Sequence, residues 1–351
     1  MANLTEVSVY TRKFFVWFII AIIAYILLKG MVDLGVTYWK ITHPPPIPPP
    51  DAKFGRLPSP NFSHVASSSS GLTFSLVNIE GRPPETTTAA KVYFMPKKVP
   101  TLLSTQRARE LAARMGFTNP PKENTPTEYF YVDPLDTLRT FALNTTTLNF
   151  RYKYAYEKKG DLFESNTIIS KDQAVGEVRT FIQSYGLFDG SILDGNIQSQ
   201  YLTYDSGADV FRPSDSIAKS NSVRIDFWRK PIGEFPLVTP LFFQSYNYAL
   251  YTRDPRVKIV DLSYAFWPIA FDNVGTYPLK TSDMAWQDLI DGYAPIVNMG
   301  ENKGNTVIIR QIYLAYYDSP EPQMYLQPIF VFRGDNNFVA YLPAILPDWL
   351  E

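Results

Sequence analysis

Cysteine is absent from this chain, and its 351 residues include only two histidines, His43 and His64. The lack of cysteine excludes disulfides, thiolate nucleophiles and the usual structural zinc sites. Histidine is the most common general base near neutral pH, and both histidines fall in a proline- and serine-rich stretch. Unless one of them reaches back to the folded part, Ser-His-Asp hydrolysis, HExxH proteolysis and histidine-ligated zinc or haem are excluded there.

An excess of either charge is also missing. Lys and Arg number 33 against 34 Asp and Glu, which gives a formal net charge of −1. This balance argues against a nucleic-acid partner, which needs a basic surface. Neither G-x-G-x-x-G nor G-x-x-x-x-G-K-[ST] occurs, so we expect no nucleotide and no other cofactor. Secreted eukaryotic domains usually carry disulfides, so the missing cysteines favour a bacterial extracytoplasmic protein with a sizeable hydrophobic core.

One long apolar run organises the chain. Residues 14–28 are apolar throughout, but they are too few for a hydrocarbon core of ~30 Å, which needs about 20 residues. Lys29 and Asp33 are four residues apart and can pair on one helix face, and Lys29 can also reach the headgroups. With both tolerated, a helix over residues 14–36 has about 23 residues and spans roughly 35 Å. The sequence therefore predicts a single transmembrane anchor that contacts the lipid bilayer through residues 14–36.

Two alternatives to a membrane anchor stay open. A cleavable signal peptide would show small residues at a cleavage site after the run, and an apolar core helix would show a polar face. Basic residues lie on both sides of the run, so the positive-inside rule orients it only weakly. We expect residues 1–13 to be cytoplasmic and the charge-poor C-terminal domain to be extracytoplasmic, at a bacterial cytoplasmic membrane. The residues assigned to the anchor are Phe14, Trp17, Ile20, Leu28, Lys29, Asp33 and Trp39.

A proline tract follows the anchor. Each proline fixes φ and removes a backbone donor, so the tract predicts an extended polyproline II stalk about 20 Å long. A ligand for SH3 or WW domains is the alternative, although such partners are intracellular. The sequence after the tract is polar and rich in serine, and we assign residues 37–71 to the stalk and a linker. The residues of the stalk are Pro44, Pro45, Pro46, Pro48, Pro49 and Pro50.

Three amphipathic helices are predicted beyond the linker, each with Ser or Thr at its N-cap. The caps are Ser104, Ser170, and either Thr281 or Ser282. Apolar residues recur behind each cap at the spacing of one helix face. The stretches that follow each helix alternate with period two and are rich in Tyr and Phe, which predicts strands.

The order of these elements predicts an α+β protein with antiparallel sheets. About 270 residues follow the linker, which is enough for one large domain or for two to three small ones. We predict a helix-plus-antiparallel-sheet module that is repeated three times, over residues 72–160, 161–275 and 276–351.

Parts of the sequence resemble a known family. The second helix starts with Ser170 and has Ala174 four residues later, and residues 312–332 read IYLAYYDSPEPQMYLQPIFVF. In that ending a Tyr-Tyr pair, Tyr316 and Tyr317, precedes a short polar turn and a strand with an internal proline before aromatics. These features are similar to those of PepSY-like and YycH/YycI-type extracytoplasmic regulators. The resemblance implies one N-terminal anchor, repeated helix-plus-sheet modules, and binding or regulation at the membrane surface without catalysis.

Two motifs carry candidate chemistry. Ser216 and Lys219 match the S-x-x-K of serine enzymes in which the lysine activates the serine, but a polar loop is the simpler interpretation. Asp189, Asp194 and Asn196 could supply oxygen ligands to Ca²⁺, but Asp-Gly pairs are also turn formers. A pair of carboxylates for glycoside hydrolysis stays open because fold, and not sequence, sets their separation. We assign no catalytic, cofactor-binding or metal-binding residue.

Aromatic side chains recur on one predicted strand. Phe150, Tyr152, Tyr154 and Tyr156 point to one face, where they either form core or stack on a sugar. Charged residues alternate with them, which favours a strand with one buried face and one solvent-exposed face. We therefore expect the aromatic side chains to belong to the core.

Three functions follow from these observations. The favoured one is a non-enzymatic, membrane-anchored extracytoplasmic protein that binds a membrane or envelope protein, assembles with copies of itself, or forms part of an envelope assembly. The second is a peptidoglycan- or glycan-binding surface module that uses exposed aromatics. The third is a hydrolase that uses carboxylates or Ser216 and Lys219.

Overall fold

The computed structural model of this chain describes residues 4–42, 50–63, 67–164, 170–302 and 304–351, with side chains from residue 17 to 39 in the first helix. The chain forms two compact units, Met1–Pro49 and Pro50–Glu351. The second unit is called the body below. His43, His64 and Pro44, Pro45, Pro46, Pro48 and Pro49 lie outside the described residues, so the proline stalk stays a prediction.

The first unit holds one long helix, α1 (Leu4–Thr42). Within it, Trp17–Trp39 is long and apolar enough to cross a membrane, and a signal sequence near an N-terminus passes the same test. The helix is longer at both ends than the predicted residues 14–36.

The predicted ion pair in α1 is not formed. Lys29 and Asp33 are both exposed, and no ion pair joins these two described side chains. An exposed pair four residues apart on a helix stabilises by only about 0.3–0.5 kcal/mol, so little holds the two side chains together.

Four helices and nineteen strands are described in the body. The helices are α2 (Ser104–Arg114), α3 (Lys171–Tyr185), α4 (Gly190–Leu193) and α5 (Ser282–Ile290). The strands are β1 (Ser67–Ser68), β2 (Thr73–Leu76), β3 (Ala89–Phe94), β4 (Lys122–Thr125), β5 (Glu128–Val132), β6 (Arg139–Asn144), β7 (Phe150–Tyr154), β8 (Ile197–Asp205), β9 (Val210–Pro213), β10 (Ser222–Phe227), β11 (Leu237–Val238), β12 (Tyr248–Thr252), β13 (Ile259–Tyr264), β14 (Ala270–Pro278), β15 (Pro295–Asn298), β16 (Thr306–Tyr317), β17 (Tyr325–Leu326), β18 (Pro328–Gly334) and β19 (Val339–Pro343). The body is therefore rich in sheet, and the predicted α+β class is confirmed.

Two of the three predicted helix caps are confirmed. The Ser170 side chain accepts a hydrogen bond from the Gln173 amide at 3.1 Å, and α3 ends at Gly186, whose φ of 58° suits glycine. Thr281 caps α5 in the same way. The prediction for Ser104 is wrong, because Ser104 is the first helical residue and its hydroxyl accepts from the Thr101 amide instead.

The largest sheet has nine antiparallel strands in the order β4-β5-β6-β7-β13-β12-β10-β8-β9. Helix α2 packs on β6, and α3 packs on β8, β10 and β12. Both helices bury their apolar stripes on one face of the sheet, where Phe150 and Tyr152 belong to the same core. The neighbouring Arg151 points to the other face and pairs with Asp261 of β13 at 2.7 Å.

The other two sheets surround a second core. Seven strands have the order β1-β15-β19-β18-β16-β11, with β2 also paired to β16, and a three-stranded sheet has the order β14-β3-β17. On one face of the larger sheet, Leu314 and Phe330 pack in a core that also holds Leu289 of α5. On the other face, Ala315 and Val331 pack in a separate cluster. Both faces are covered, which explains why the C-terminal strands read as nearly continuous apolar runs.

The three predicted repeats are not confirmed by this arrangement. The first and second predicted modules place their strands in one shared nine-stranded sheet, since β7 pairs with β13. Strand β3 of the first module pairs instead with β14 and β17. Sequence order alone therefore does not divide the body.

The prediction of a polar linker is wrong for residues 51–63. They pack on the body, where the Leu57 side chain is fully buried and the Leu57 amide donates to the Trp349 carbonyl at 2.9 Å. The Phe54 amide donates to the Tyr277 hydroxyl at 2.8 Å. Apolar side chains spaced among the prolines and serines give this segment enough burial to be fixed in place.

Candidate functional site: a cleft on the nine-stranded sheet

A cleft in the described part of the body has a volume of about 880 Å³. It opens between the C-terminal end of α2 and one side of α3, above the central strands β7, β13 and β12. Its floor is formed by Tyr152, Tyr251 and Ile259, one residue from each of these strands. The two helices stand apart on the sheet, so the cleft is the part of the apolar face that neither helix covers.

Helix α3 supplies one wall through a second stripe of side chains. Its buried stripe is Ala174, Val178 and Ile182, which packs on the sheet. Residues at the same helical spacing but rotated around the axis line the cleft instead. They are Gln173, Gly176, Glu177, Thr180, Phe181 and Tyr185.

Gly176 is unexpected in this wall. Glycine in a helix interior is about 0.5–1 kcal/mol less favourable than alanine. A Cβ added at Gly176 would meet no atom within 4 Å, so packing inside the body does not require the glycine. The missing side chain leaves room in the cleft for a bound chain to approach the helix backbone closely.

Glu177 forms the polar centre of the α3 wall. Its carboxylate accepts hydrogen bonds at 2.7 Å from both the Tyr251 hydroxyl and the Lys258 ammonium. Hydrogen bonds from Lys258 and Tyr251 hold the pKa of Glu177 below its ordinary value. Glu177 is therefore an ionised acceptor at neutral pH and is unsuited to act as a general acid, which needs a raised pKa.

Arg139 closes the opposite side of the cleft. Its guanidinium donates to Asp133 at 2.6 Å and to the Met115 carbonyl at 3.2 Å. It also lies over the rings of Phe117 and Tyr152, at 5.3 and 6.0 Å from their centroids. These contacts fix Arg139 as a rigid wall that joins the end of α2 to the sheet.

The lining of the cleft is largely apolar. Aromatic and aliphatic side chains form most of its floor and wall. Arg256 at its rim pairs with Asp254 at 2.6 Å and with Asp161 at 3.0 Å. Asp136, which also lines the cleft, forms no ion pair with a described residue and accepts from the Leu138 amide at 3.2 Å. No group of His, Asp or Glu that could hold a metal ion is found within the described residues.

The S-x-x-K motif lies elsewhere, in a turn between β9 and β10. The Lys219 amide donates to the Ser216 carbonyl at 3.2 Å, and the Lys219 side chain is exposed. No hydrogen bond links the two side chains, both of which the structure describes. This part of the chain is a polar loop before a strand, the simpler of the two interpretations of the motif.

The candidate calcium residues form turns. Asp189 caps the short helix α4, and its side chain accepts from the Ser191 amide at 2.9 Å. Asp194 ends the same helix.

The aromatic side chains of β7 form core, as the alternation of its sequence favours. Phe150, Tyr152 and Tyr154 are all buried.

The sequence did not reveal the cleft. Its residues come from five elements and the segments that connect them, and sheet order decides which of these elements lie side by side. The one local signal is Gly176, a glycine inside an otherwise regular helical pattern.

Comparison with known proteins assigns the chain to no family. No protein-family model matches the chain, and no curated protein is similar to it. The crystal structure of an uncharacterized protein from Eubacterium rectale ATCC 33656, determined at 1.45 Å resolution, has a TM-score of 0.40 and 12% sequence identity to it. That match covers 73% of this chain and 82% of the other. This likeness therefore assigns no function to the chain.

Proposed function

We propose that this chain is a membrane-anchored, extracytoplasmic, non-enzymatic protein that binds a segment of a partner protein in the cleft beside α3. The observation that carries the proposal is an open, largely apolar cleft of about 880 Å³ in which four of the five charged residues, all but Asp136, are already in ion pairs. Such a cleft offers burial to a ligand, and the described residues that line it include no histidine, cysteine or serine. The resemblance to extracytoplasmic regulators is in keeping with this role.

An apolar segment with short side chains fits the cleft best. Tyr152, Tyr251 and Ile259 supply an apolar floor, and hot spots of protein interfaces are commonly built from such aromatic surfaces. Gly176 lets a second backbone come close to α3. Polar side chains at the rim, among them Gln173 and Thr180, can bond to the ends of a bound segment.

Blocking the cleft is expected to abolish partner binding. In Gly176→Trp the Cβ meets no atom within 4 Å, and the indole occupies space in the cleft. An unchanged melting temperature checks that the fold is retained. A photo-crosslinking amino acid at Thr180, on the cleft wall, should give a discrete crosslinked band when the full chain is expressed in its native membrane. Adding Gly176→Trp should reduce that band by about tenfold or more, since loss of a hot-spot contact is worth at least about 1.4 kcal/mol.

The matched control is Gln183→Trp, which adds the same side chain to the exposed face of the same helix. It should leave the crosslinked band unchanged. A band that survives Gly176→Trp, or that both tryptophan variants reduce equally, would contradict binding in the cleft.

The orientation proposed for the anchor is directly testable because the chain has no cysteine. Leu135→Cys places one thiol at a side chain that is 95% exposed in the body. A membrane-impermeant maleimide should label it in intact spheroplasts, whereas Thr5→Cys should react only after lysis. The labelled full-length chain should stay in the membrane pellet after alkaline extraction. Labelling of Thr5→Cys alone in intact spheroplasts would reverse the orientation, and a shortened, extractable chain would identify a cleaved signal sequence.

A further inference from the structure

A second, smaller cleft of about 420 Å³ lies on the other side of α2. Its walls are the outward side of α2, the loop that follows the helix, and β5. Its lining includes Arg109, Asn119, Pro120, Pro121 and Tyr131. None of the residues that line it also lines the larger cleft.

Two residues that line this cleft have a buried side-chain oxygen without a hydrogen-bond partner. Tyr131 is only 2% exposed, and its hydroxyl has no hydrogen-bond partner among the described residues. The side-chain oxygen of Asn119 is also buried and has none. Six such side-chain atoms occur in the described part of the chain, and two of them line this one cleft. Because folded proteins usually satisfy buried polar groups, the coincidence points to a ligand.

The hydrogen-bonding character of each group is fixed by its surroundings. Burial raises the pKa of Tyr131, so the hydroxyl is protonated at neutral pH and can donate. The Asn119 side-chain nitrogen already donates to the Pro120 carbonyl at 3.3 Å, which leaves its oxygen as the free acceptor. Arg109 is exposed and makes no hydrogen bond or ion pair with any residue that the structure describes.

A guanidinium, a donating hydroxyl and an accepting amide oxygen define the ligand. The first two groups suit a carboxylate, and the third suits an N–H beside it. Pro120 and Pro121 offer an apolar wall for a neighbouring side chain. A volume of about 420 Å³ is at the lower end of the range for small-ligand pockets.

We infer that this cleft binds an acylated α-amino carboxylate, the group found at the C-terminus of a peptide and in a free N-acyl amino acid. Arg109 pairs with the carboxylate, the Tyr131 hydroxyl donates to it, and Asn119 accepts from the amide N–H. Both oxygens are buried although their residues line the cleft, so binding includes a displacement of the side chains that cover them. Arg109 is free to make that displacement because it has no partner to lose.

The test uses the full chain in detergent and titrates N-acetyl-leucine, its carboxamide, and a pentapeptide that ends in leucine with a free carboxylate. The acid should bind saturably, and the carboxamide at least about tenfold more weakly, because a hydrogen bond to a charged group is lost. A pentapeptide that binds more tightly than N-acetyl-leucine would identify a peptide C-terminus as the source, and equal affinity would identify a free N-acyl amino acid.

Two variants assign the binding to this cleft. Tyr131→Phe and Arg109→Gln should each weaken N-acetyl-leucine by about tenfold, whereas Arg107→Gln, an exposed arginine of α2 outside the cleft, should not. Tyr131→Phe should keep or raise the melting temperature, because the Tyr131 hydroxyl has no protein partner that would lose a hydrogen bond. Equal affinity for the acid and the carboxamide, no saturation at millimolar concentration, or unaltered binding by both variants would overturn the inference. None of these outcomes bears on the larger cleft.

Discussion

Replacing Asp318 by alanine should lower the free energy of unfolding by about 3–5 kcal/mol, because it leaves a buried arginine without its counter-charge. Asp318 and Arg229 form an ion pair at 3.2 Å in which each side chain is only 4% exposed. The second carboxylate oxygen of Asp318 accepts from the Tyr246 hydroxyl at 2.6 Å. Burial and the charge of Asp318 raise the pKa of Tyr246 well above its ordinary value, so this hydroxyl stays a donor.

The pair matters because it joins the two main sheets of the body. Arg229 follows β10 of the nine-stranded sheet, and Asp318 follows β16 of the seven-stranded sheet. Arg229 also donates to the Trp267 carbonyl and lies over the Phe266 ring, 4.5 Å from its centroid. Loss of the carboxylate therefore weakens a contact that holds two separately built cores together.

Urea unfolding followed by tryptophan fluorescence measures the effect. Asp335→Ala, which removes the same group from the exposed Arg310–Asp335 pair, is the control and should change stability little. The double variant Arg229→Met, Asp318→Leu should be much less destabilised than Asp318→Ala, since it buries no lone charge. Equal effects of Asp318→Ala and Asp335→Ala would show that the buried pair does not connect the sheets energetically.

Leu57→Ala is expected to destabilise the body by about 2–5 kcal/mol, the range for removing a fully buried leucine side chain. Leu57 is 0% exposed and belongs to the same core as Tyr277, Leu289 and Ile345. A residue of an exposed polar linker would not lose this much stability on truncation to alanine. Chemical unfolding of the full chain in detergent provides the measurement.

The control for this prediction is Leu135→Ala. Leu135 is also a body leucine but is 95% exposed, so its truncation should change stability by no more than about 0.5 kcal/mol. If Leu57→Ala were as mild as Leu135→Ala, residues 51–63 would have to be detachable from the core, contrary to their packing.

Local periodicity was enough to predict the elements but not their partners. The alternation in residues 150–154 identifies a strand with one apolar face, and β7 has that form. Nothing within the strand indicates that its neighbour is β13, more than a hundred residues further on. Pairing depends on long-range packing of whole faces, which is why the three repeats seemed plausible from order alone.

The same limit applies to the candidate site. The apolar stripe of α3 could be read from sequence, but its cleft-lining side could not, because the distance between α2 and α3 on the sheet decides which residues are left open. The prediction of a polar linker over residues 51–63 was wrong for a different reason. Their prolines and serines are typical of linkers, and the burial of Leu57 depends on a C-terminal segment nearly three hundred residues away.

That contact has a mechanical consequence. Leu57 and Leu350 form a parallel bridge, and the Glu351 amide donates to the Leu57 carbonyl at 2.8 Å. Tension that reached the body through residue 50 would therefore be transmitted through residues 51–57 to residues 349–351. These backbone hydrogen bonds would bear that load before the sheets of the body did.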